Sequence, residues 1–524
     1  MARRKFRSLH AARVQVCRRA GILGVLTSGL SMRQIFLRWS YCLWLAAYAS
    51  LTVAQDAPKY SARFDAPAQL VEIDLCLAQA HARVKFAADS AWAMRFIRDL
   101  RRDAGTTLSA GDGDWTASDW HVGECLRYRA DFGAIAEARK PDVGWRLGDD
   151  LVAAPQLWLL RPDVQGDADA QLSLALPAGW SVSAPWRGAA PAPSAAATIA
   201  QPSAQAAAEK KLLFSIPNTS PDWSAAVAIG HFDEERIGLP GGVLRLTILH
   251  GADAQQREKL RAWFGRVAHA VLGAYGRLPL PDVQVMMIPV GARGQAVVFG
   301  QSIRGEGNAL QLLIDPGRPA EEFADDWMAV HELSHLMHPY LGDRGSWLAE
   351  GLATYYQNIL RARGGLLTPV QAWDRLAQGF QRGAAQPADG TLEQIAADMH
   401  RSHAFGRVYW AGAVFWLTVD RDLRRASAGR QGLDTVLSRF RDCCLPAYRE
   451  WRPEDFVARL DALAGTELIT RRYREFAALR EFPDWKKVFA DLGIRDDSAH
   501  LRLDDTARDA TIRDAITRAW PERK

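Results

Sequence analysis

The sequence predicts an α+β multidomain chain: a β-rich N-terminal domain over 58–235, a mixed α/β domain over 240–365 and an all-α C-terminal domain over 366–524. Three observations carry this. The chain has 524 residues, 48% of them hydrophobic and 24% charged, which is enough apolar material for two or three cores. Up to residue 235 the apolar residues come in short or alternating runs broken by Pro, Gly and Asp. From Pro319 onward nearly every segment has helical spacing.

Residues 1–54 stand apart. They carry nine Lys/Arg and no acid, so the net charge of +5 becomes −4 for the remainder. The basic balance belongs to this leader, and no nucleic-acid partner is expected. Within it, "MRQIFLRWSYCLWLAAYASLTVAQDAP" has a basic start (Arg33, Arg38), an apolar run Tyr41–Val53 and small residues at Thr52 and Ala54. That is the pattern of an export signal peptide, and Met32 just ahead of it is an alternative start. The run is shorter than the roughly 20 residues a spanning helix needs. A periplasmic or secreted protein with no stable membrane span after signal removal is expected; an uncleaved anchor is the alternative. Export permits disulfides, and Cys76 with Cys125, in one predicted domain, is the expected pair. The adjacent Cys443 and Cys444 are left open between a strained ring and two thiols, and none of the four has C-x-x-C spacing.

In the N-terminal domain "LWLLRPDV", "QLSLALPAGWSVSAPW" and "KKLLFSIPN" read as strands. The Ala/Pro/Ser-rich stretch 189–209 has too few bulky side chains to bury and reads as a loop. "GGVLRLTILHG" opens the next domain as a strand. A helix follows it, with Asp253 as N-cap and Leu260, Trp263, Phe264, Val267 and Val271 on one face. "PDVQVMMIPV" and "NALQLLID" are further strands, and the charged tail after Ile494 reads as a peripheral helix or two.

The chemistry concentrates in "PAEEFADDWMAVHELSHLMHP" and the segment after it. Pro319 and Pro339 bracket one predicted helix, and acids fill its first turns. His331 and His335 are one turn apart on one face, so both imidazoles reach one metal ion, with Glu332 placed to touch a metal-bound water. A second helix, "SWLAEGLATYYQNILRAR", is predicted with Ser346 as its cap and ends at Gly364–Gly365. It brings Glu350 back as the candidate third ligand; His338 and Asp343 are the other candidates. Two imidazoles and one carboxylate leave the fourth position of a zinc ion open, the catalytic arrangement.

"HELSH…WLAEGLATYY" resembles the gluzincin zinc metallopeptidases, nearest in pattern to the glycyl aminopeptidase family and more distantly to the aminopeptidase N family. "YWAGAVFWLTVDRDLR", from Tyr409, is similar to their Y-x-x-G helix, and "RRYREFAALREFPDWKKVFADLGI" to the end of the catalytic region, so the resemblance spans roughly 240–495. It implies a thermolysin-like fold for 240–365. It further implies one Zn2+ per chain on His331, His335 and Glu350, with Glu332 as general base and Tyr409 as hydrogen-bond donor to the tetrahedral intermediate. Tyr409 also fits a core stripe with Gly412, Ala413, Trp416 and Val419. Thr354, one turn beyond Glu350, is placed to buttress a ligand.

The chain departs from those families at two places. Fourteen residues separate His335 from Glu350, a short connection for the family. The upstream G-x-M-E-N or G-G-L-E-H segment, which holds a substrate's amine, is replaced by "VVFGQSIRGEGNALQLL", where Glu306 is the one acid and the one candidate amine anchor. The expected function is peptide-bond hydrolysis, as an aminopeptidase on small peptides. An endopeptidase with the same zinc site and a non-catalytic binding protein on a peptidase fold are the alternatives.

Overall fold

The computed structural model describes residues 57–519, apart from 89, 104–107, 141–142, 165–167, 189–208, 220–224, 305–306 and 497–500. The leader 1–54, positions 189–208 of the loop expected over 189–209 and the candidate anchor Glu306 lie outside the described residues; Glu209, the last residue of that expected loop, already opens a strand.

In the N-terminal region, period-2 patterning does what it predicts. Lys59–Asp65 buries Tyr60, Ala62 and Phe64, and its antiparallel partner Leu70–Cys76 buries Val71, Ile73 and Leu75. Both lie inside a seven-stranded sheet. Cys76 stands directly opposite Cys125 on the neighbouring strand Cys125–Asp131, and the two are joined as a disulfide. Cys443 and Cys444 are bonded to each other. "LWLLRPDV" departs from expectation: only Arg161–Pro162 pairs as strand. Pro155 starts a tight turn, and the Leu160 backbone is satisfied by two tyrosines instead of a ladder. Tyr60 donates to its carbonyl at 2.8 Å and Tyr128 accepts from its amide at 3.1 Å.

A five-stranded sheet follows, in the order Glu234–Leu239, Gly242–Ile248, Asp282–Pro289, Ala309–Ile314, Val297–Ile303. The two strands Asp282–Pro289 and Ala309–Ile314 are buried on both faces, hence their unbroken apolar runs. Val297–Ile303 is the antiparallel edge. Arg245, 6% exposed, ties this sheet to the N-terminal region by donating to the carbonyls of Ala184 and Trp186 while paired with Glu234 and Asp282. Helix Ala254–Leu272 covers the sheet, started by a capping box between Asp253 and Gln256.

The helix expected across 319–339 is broken. Ala320–Asp325 ends at Asp326, whose backbone is extended and whose carboxylate accepts from the Met328 amide at 2.8 Å, starting a separate helix Met328–Ser334. Pro319 is the N-cap residue of the first piece rather than its first helical residue. Ser346 likewise is the first residue of helix Ser346–Arg363 and not its cap; its hydroxyl donates to the Ala396 carbonyl. The tail is a hairpin, Ile494–Asp496 with Leu501–Leu503, and a helix Ala510–Thr517 that docks rather than hangs free, since buried Arg363 donates to the Ile516 carbonyl at 2.7 Å. One hydrophobic core runs from Leu244 to Ile516, so residue 365 falls inside continuous packing. No helix among the described residues is long and apolar enough to cross a membrane.

Candidate metal centre and active site

Three helices build the centre. Met328–Ser334 carries His331 and Glu332, and His335 follows as its cap residue. Pro339 forbids helical backbone at His338, which turns extended (φ −141°, ψ 160°) and leaves the ligand face. Ser346–Arg363 carries Glu350, and Phe405–Ala426 carries Tyr409. These last two cross at a pair of glycines: a Cβ on Gly351 would strike the Gly412 backbone, and one on Gly412 would strike the Trp347 carbonyl. Trp416 fixes the crossing by donating to the Leu348 carbonyl at 2.8 Å. That close approach sets Glu350 and Tyr409 beside the histidines.

The ligand atoms form a triangle. His331 Nε2 and His335 Nε2 are 3.2 Å apart, and Glu350 Oε2 lies 3.3 Å from the first and 3.4 Å from the second. Bonds of about 2.0–2.1 Å in a tetrahedral zinc site place neighbouring ligands about 3.3–3.4 Å apart. The outer partners settle the tautomers. His331 Nδ1 lies 2.8 Å from Gln357 Oε1, so it donates there. His338 Nδ1 donates to the Pro339 carbonyl at 2.7 Å, which leaves its Nε2 to accept from His335 Nδ1 at 3.1 Å. Both Nε2 atoms therefore present lone pairs to each other and to a carboxylate oxygen. Such a convergence is repulsive until a cation sits in it, and His331, His335 and Glu350 could hold one metal ion.

The charges agree. Burial pulls His331 down, but Glu350, which bonds its Nε2 when that nitrogen carries a proton, and Glu332 nearby lift it above the usual imidazole range, so a metal ion would compete with a proton for this nitrogen. Burial would raise Glu350, yet the two imidazoles hold it well below the ordinary carboxylate value. Burial, with Arg304 and His335 beside it, keeps His338 well below and neutral. Burial, then Glu350 and Glu332, raise the Tyr409 phenol, which stays protonated and donates to Glu350. Its half-buried ring stacks on His331 with centroids 6.0 Å apart.

Glu332 is 8% exposed, with its Cγ 2.8 Å from where a Cβ on edge-strand Gly300 would stand. Ser302 on the same strand donates to the Glu332 carbonyl, and Arg304 donates to the His335 carbonyl. Burial pushes the Arg304 guanidinium down to about 10, so it remains a cation beside the site.

Of the residues expected here, His331, Glu332, His335, Glu350 and Tyr409 come together. His338 is a hydrogen-bond partner rather than a ligand, and Asp343 is exposed and outside the group. Thr354 is not bonded to a ligand residue: its buried hydroxyl has no hydrogen-bond partner among the described residues. Gln357 buttresses His331 instead. It lies seven residues beyond Glu350 on the same helix face, a spacing from which it was recoverable. Arg304 and Trp327, whose ring meets His331 edge-on at 5.4 Å, carry no local sequence signal.

No family model and no curated protein matches the sequence. Solved structures do match in shape. An aminopeptidase N family protein from Idiomarina loihiensis superposes with TM-score 0.62 at 13% identity, over 83% of this chain and 78% of that one. An M1 zinc metallopeptidase from Deinococcus radiodurans gives TM-score 0.50 at 13% identity, over 82% and 95%. A two-domain M1 zinc metallopeptidase variant bound to L-tryptophan gives 0.51 at 14% identity, over 82% and 96%. The chain shares their fold: a β-rich N-terminal part, then a mixed α/β and helical part that holds the ligand triangle.

Proposed function

We propose that this chain, built on the fold of the M1 zinc metallopeptidases, is a zinc-dependent peptidase of the aminopeptidase class that hydrolyses small peptides. The observation that carries it is the lone-pair triangle of His331, His335 and Glu350, with Glu332 and Tyr409 beside it. A bound zinc supplies a Lewis acid that acidifies water and polarises the scissile carbonyl. Glu332 takes the proton of the attacking water and later delivers it to the departing amine. Tyr409, held protonated, donates to the oxygen that gains charge. Gln357 and His338 keep both ligand imidazoles in the tautomer that offers Nε2.

An endopeptidase is the second reading. It is favoured by Arg304, a half-buried cation at the end of the edge strand where an amine-binding acid would be needed. Action in an oxidising compartment outside the cytoplasm is supported by the Cys76–Cys125 disulfide.

The test pairs zinc content with hydrolysis of matched free-amine and N-acetylated peptides. One zinc per chain, with cleavage of free-amine peptides alone, is expected. Glu332→Gln should keep the zinc and lose about a thousandfold in kcat. Cleavage of acetylated peptides moves the assignment to the endopeptidase, and a zinc-free, inactive protein removes the metal assignment.

A further inference from the structure

One face of helix Ser346–Arg363 continues past the metal centre into a second cavity. Beyond Glu350 it presents Thr354, Asn358 and Arg361, spaced to stack along the helix. All three are at most 2% exposed, and each leaves a polar atom without a partner among the described residues: Thr354 Oγ1, Asn358 Nδ2 and Arg361 Nε. They line a cavity of about 290 Å3, whose other wall brings Arg375 and Arg382 from helix Pro369–Ala385. Gln357, which meets His331, and Tyr409, which donates to Glu350, also line it, so it adjoins the metal centre.

Every titratable group but one on this wall is a cation. Arg361 and Arg375 share Asp325, which does not line the cavity, and Asp326 lies near Arg361. Three guanidinium groups thus face two carboxylates set behind them. Arg382 has no carboxylate partner among the described residues; its guanidinium lies 5.5 Å from the Trp410 ring centroid. Buried donors are ordinarily paired, and three orphans in one row beside surplus positive charge form a receptor for an acceptor-rich anion. The volume is at the low end for ligand pockets and suits one residue rather than a whole peptide.

We propose that this cavity is the specificity pocket of the site and receives a carboxylate of the peptide, so that the chain prefers acidic substrates. The word substrate rests on the peptidase reading above; the binding of a carboxylate does not. An aspartate or glutamate side chain and a free C-terminal carboxylate share this chemistry.

The experiment measures binding to the full-length Glu332→Gln protein, which does not turn over, by tryptophan fluorescence and calorimetry. Trp327 and Trp410 line the cavity and serve as reporters. The probes are amidated tetrapeptides with Glu or Gln at each position in turn, and one neutral tetrapeptide with a free or amidated C-terminus. The carboxylate member of a pair should bind about tenfold or more tightly than its amide, the scale of charge-assisted bonds to buried donors. A Glu-over-Gln preference identifies a side chain; a free-over-amidated preference identifies the C-terminus. Arg361→Gln should bring the ratio toward one. Because Arg361 is buried, Arg382→Gln, at an exposed position, is the second variant and should lower the same ratio. Equal binding of both members of every pair, no binding of any, or a preference that survives both substitutions overturns the proposal. Discriminated binding without hydrolysis by the wild-type protein leaves the pocket standing and removes the peptidase reading.

Discussion

Replacing Gln357 by leucine tests the hydrogen-bond logic of the metal centre. The two groups are 2.8 Å apart, and His331 and Gln357 are 3% and 6% exposed, so a leucine side chain would fill the place of the lost acceptor and shield His331 Nδ1 from the adjoining cavity. In the variant the His331 Nδ1 proton has two choices. It stays, buried and unpaired, at a cost of about 1–3 kcal/mol. Or it moves to Nε2, where Glu350 Oε2 accepts it at 3.3 Å, and the metal must displace it. The free protein escapes that cost by the shift and the zinc-bound protein cannot, so zinc affinity should fall, by up to about 5- to 150-fold on that energy scale. Losses of other outer-sphere partners of ligand histidines fall in the same range, about 10- to 100-fold. Competition against a chromophoric zinc chelator at fixed pH reads the change, with circular dichroism as a check on folding. Gln357→Glu, which keeps an acceptor and adds charge, should bind zinc at least as well as the wild type. Thr354→Val should leave zinc affinity unchanged, because its hydroxyl bonds no ligand. Wild-type affinity in Gln357→Leu, or an equal loss in Thr354→Val, would refute the tautomer argument.

Two further outcomes follow from packing and charge. Gly412→Ala pushes a methyl against the Trp347 carbonyl and the Gly351 Cα, so the glutamate and tyrosine helices must separate. It should cost about 3 kcal/mol in urea unfolding and weaken zinc binding too, whereas a loss of stability with intact zinc affinity would show that the crossing does not place Glu350. Burial raises the Asp326 carboxyl to about 6, so the folded state holds that proton more tightly than the unfolded one. Its contribution is full below about pH 4 and is lost as pH rises through 6, a swing of about 3 kcal/mol. Asp326→Asn keeps an acceptor for the Met328 amide and should therefore gain about 3 kcal/mol over the wild type at pH 8 and nothing at pH 4. Thermal melts at the two pH values check this, and a gain independent of pH would contradict it.

Local physics was legible in the sequence wherever the signal is local. Asp253 capped its helix, the alternation of Tyr60, Ala62 and Phe64 set the buried face of a strand, and the four-residue spacing put His331 and His335 on one side of a helix. Periodicity and capping act over one or two turns, and one or two turns of sequence contain them. What required the tertiary structure is every relation between segments. The break at Asp326 overrode a continuous helical pattern because its side chain found the Met328 amide. The crossing at Gly351 and Gly412, 61 positions apart, aimed Glu350 at the histidines. His338, spaced like a ligand, was turned aside by Pro339 and made a partner of His335. Thr354 and Gln357 share one helix face, and the sequence by itself could not rank them. Which of two neighbours meets an imidazole depends on where another helix lies, and that distance is written in the packing of the whole core rather than in any stretch of the chain.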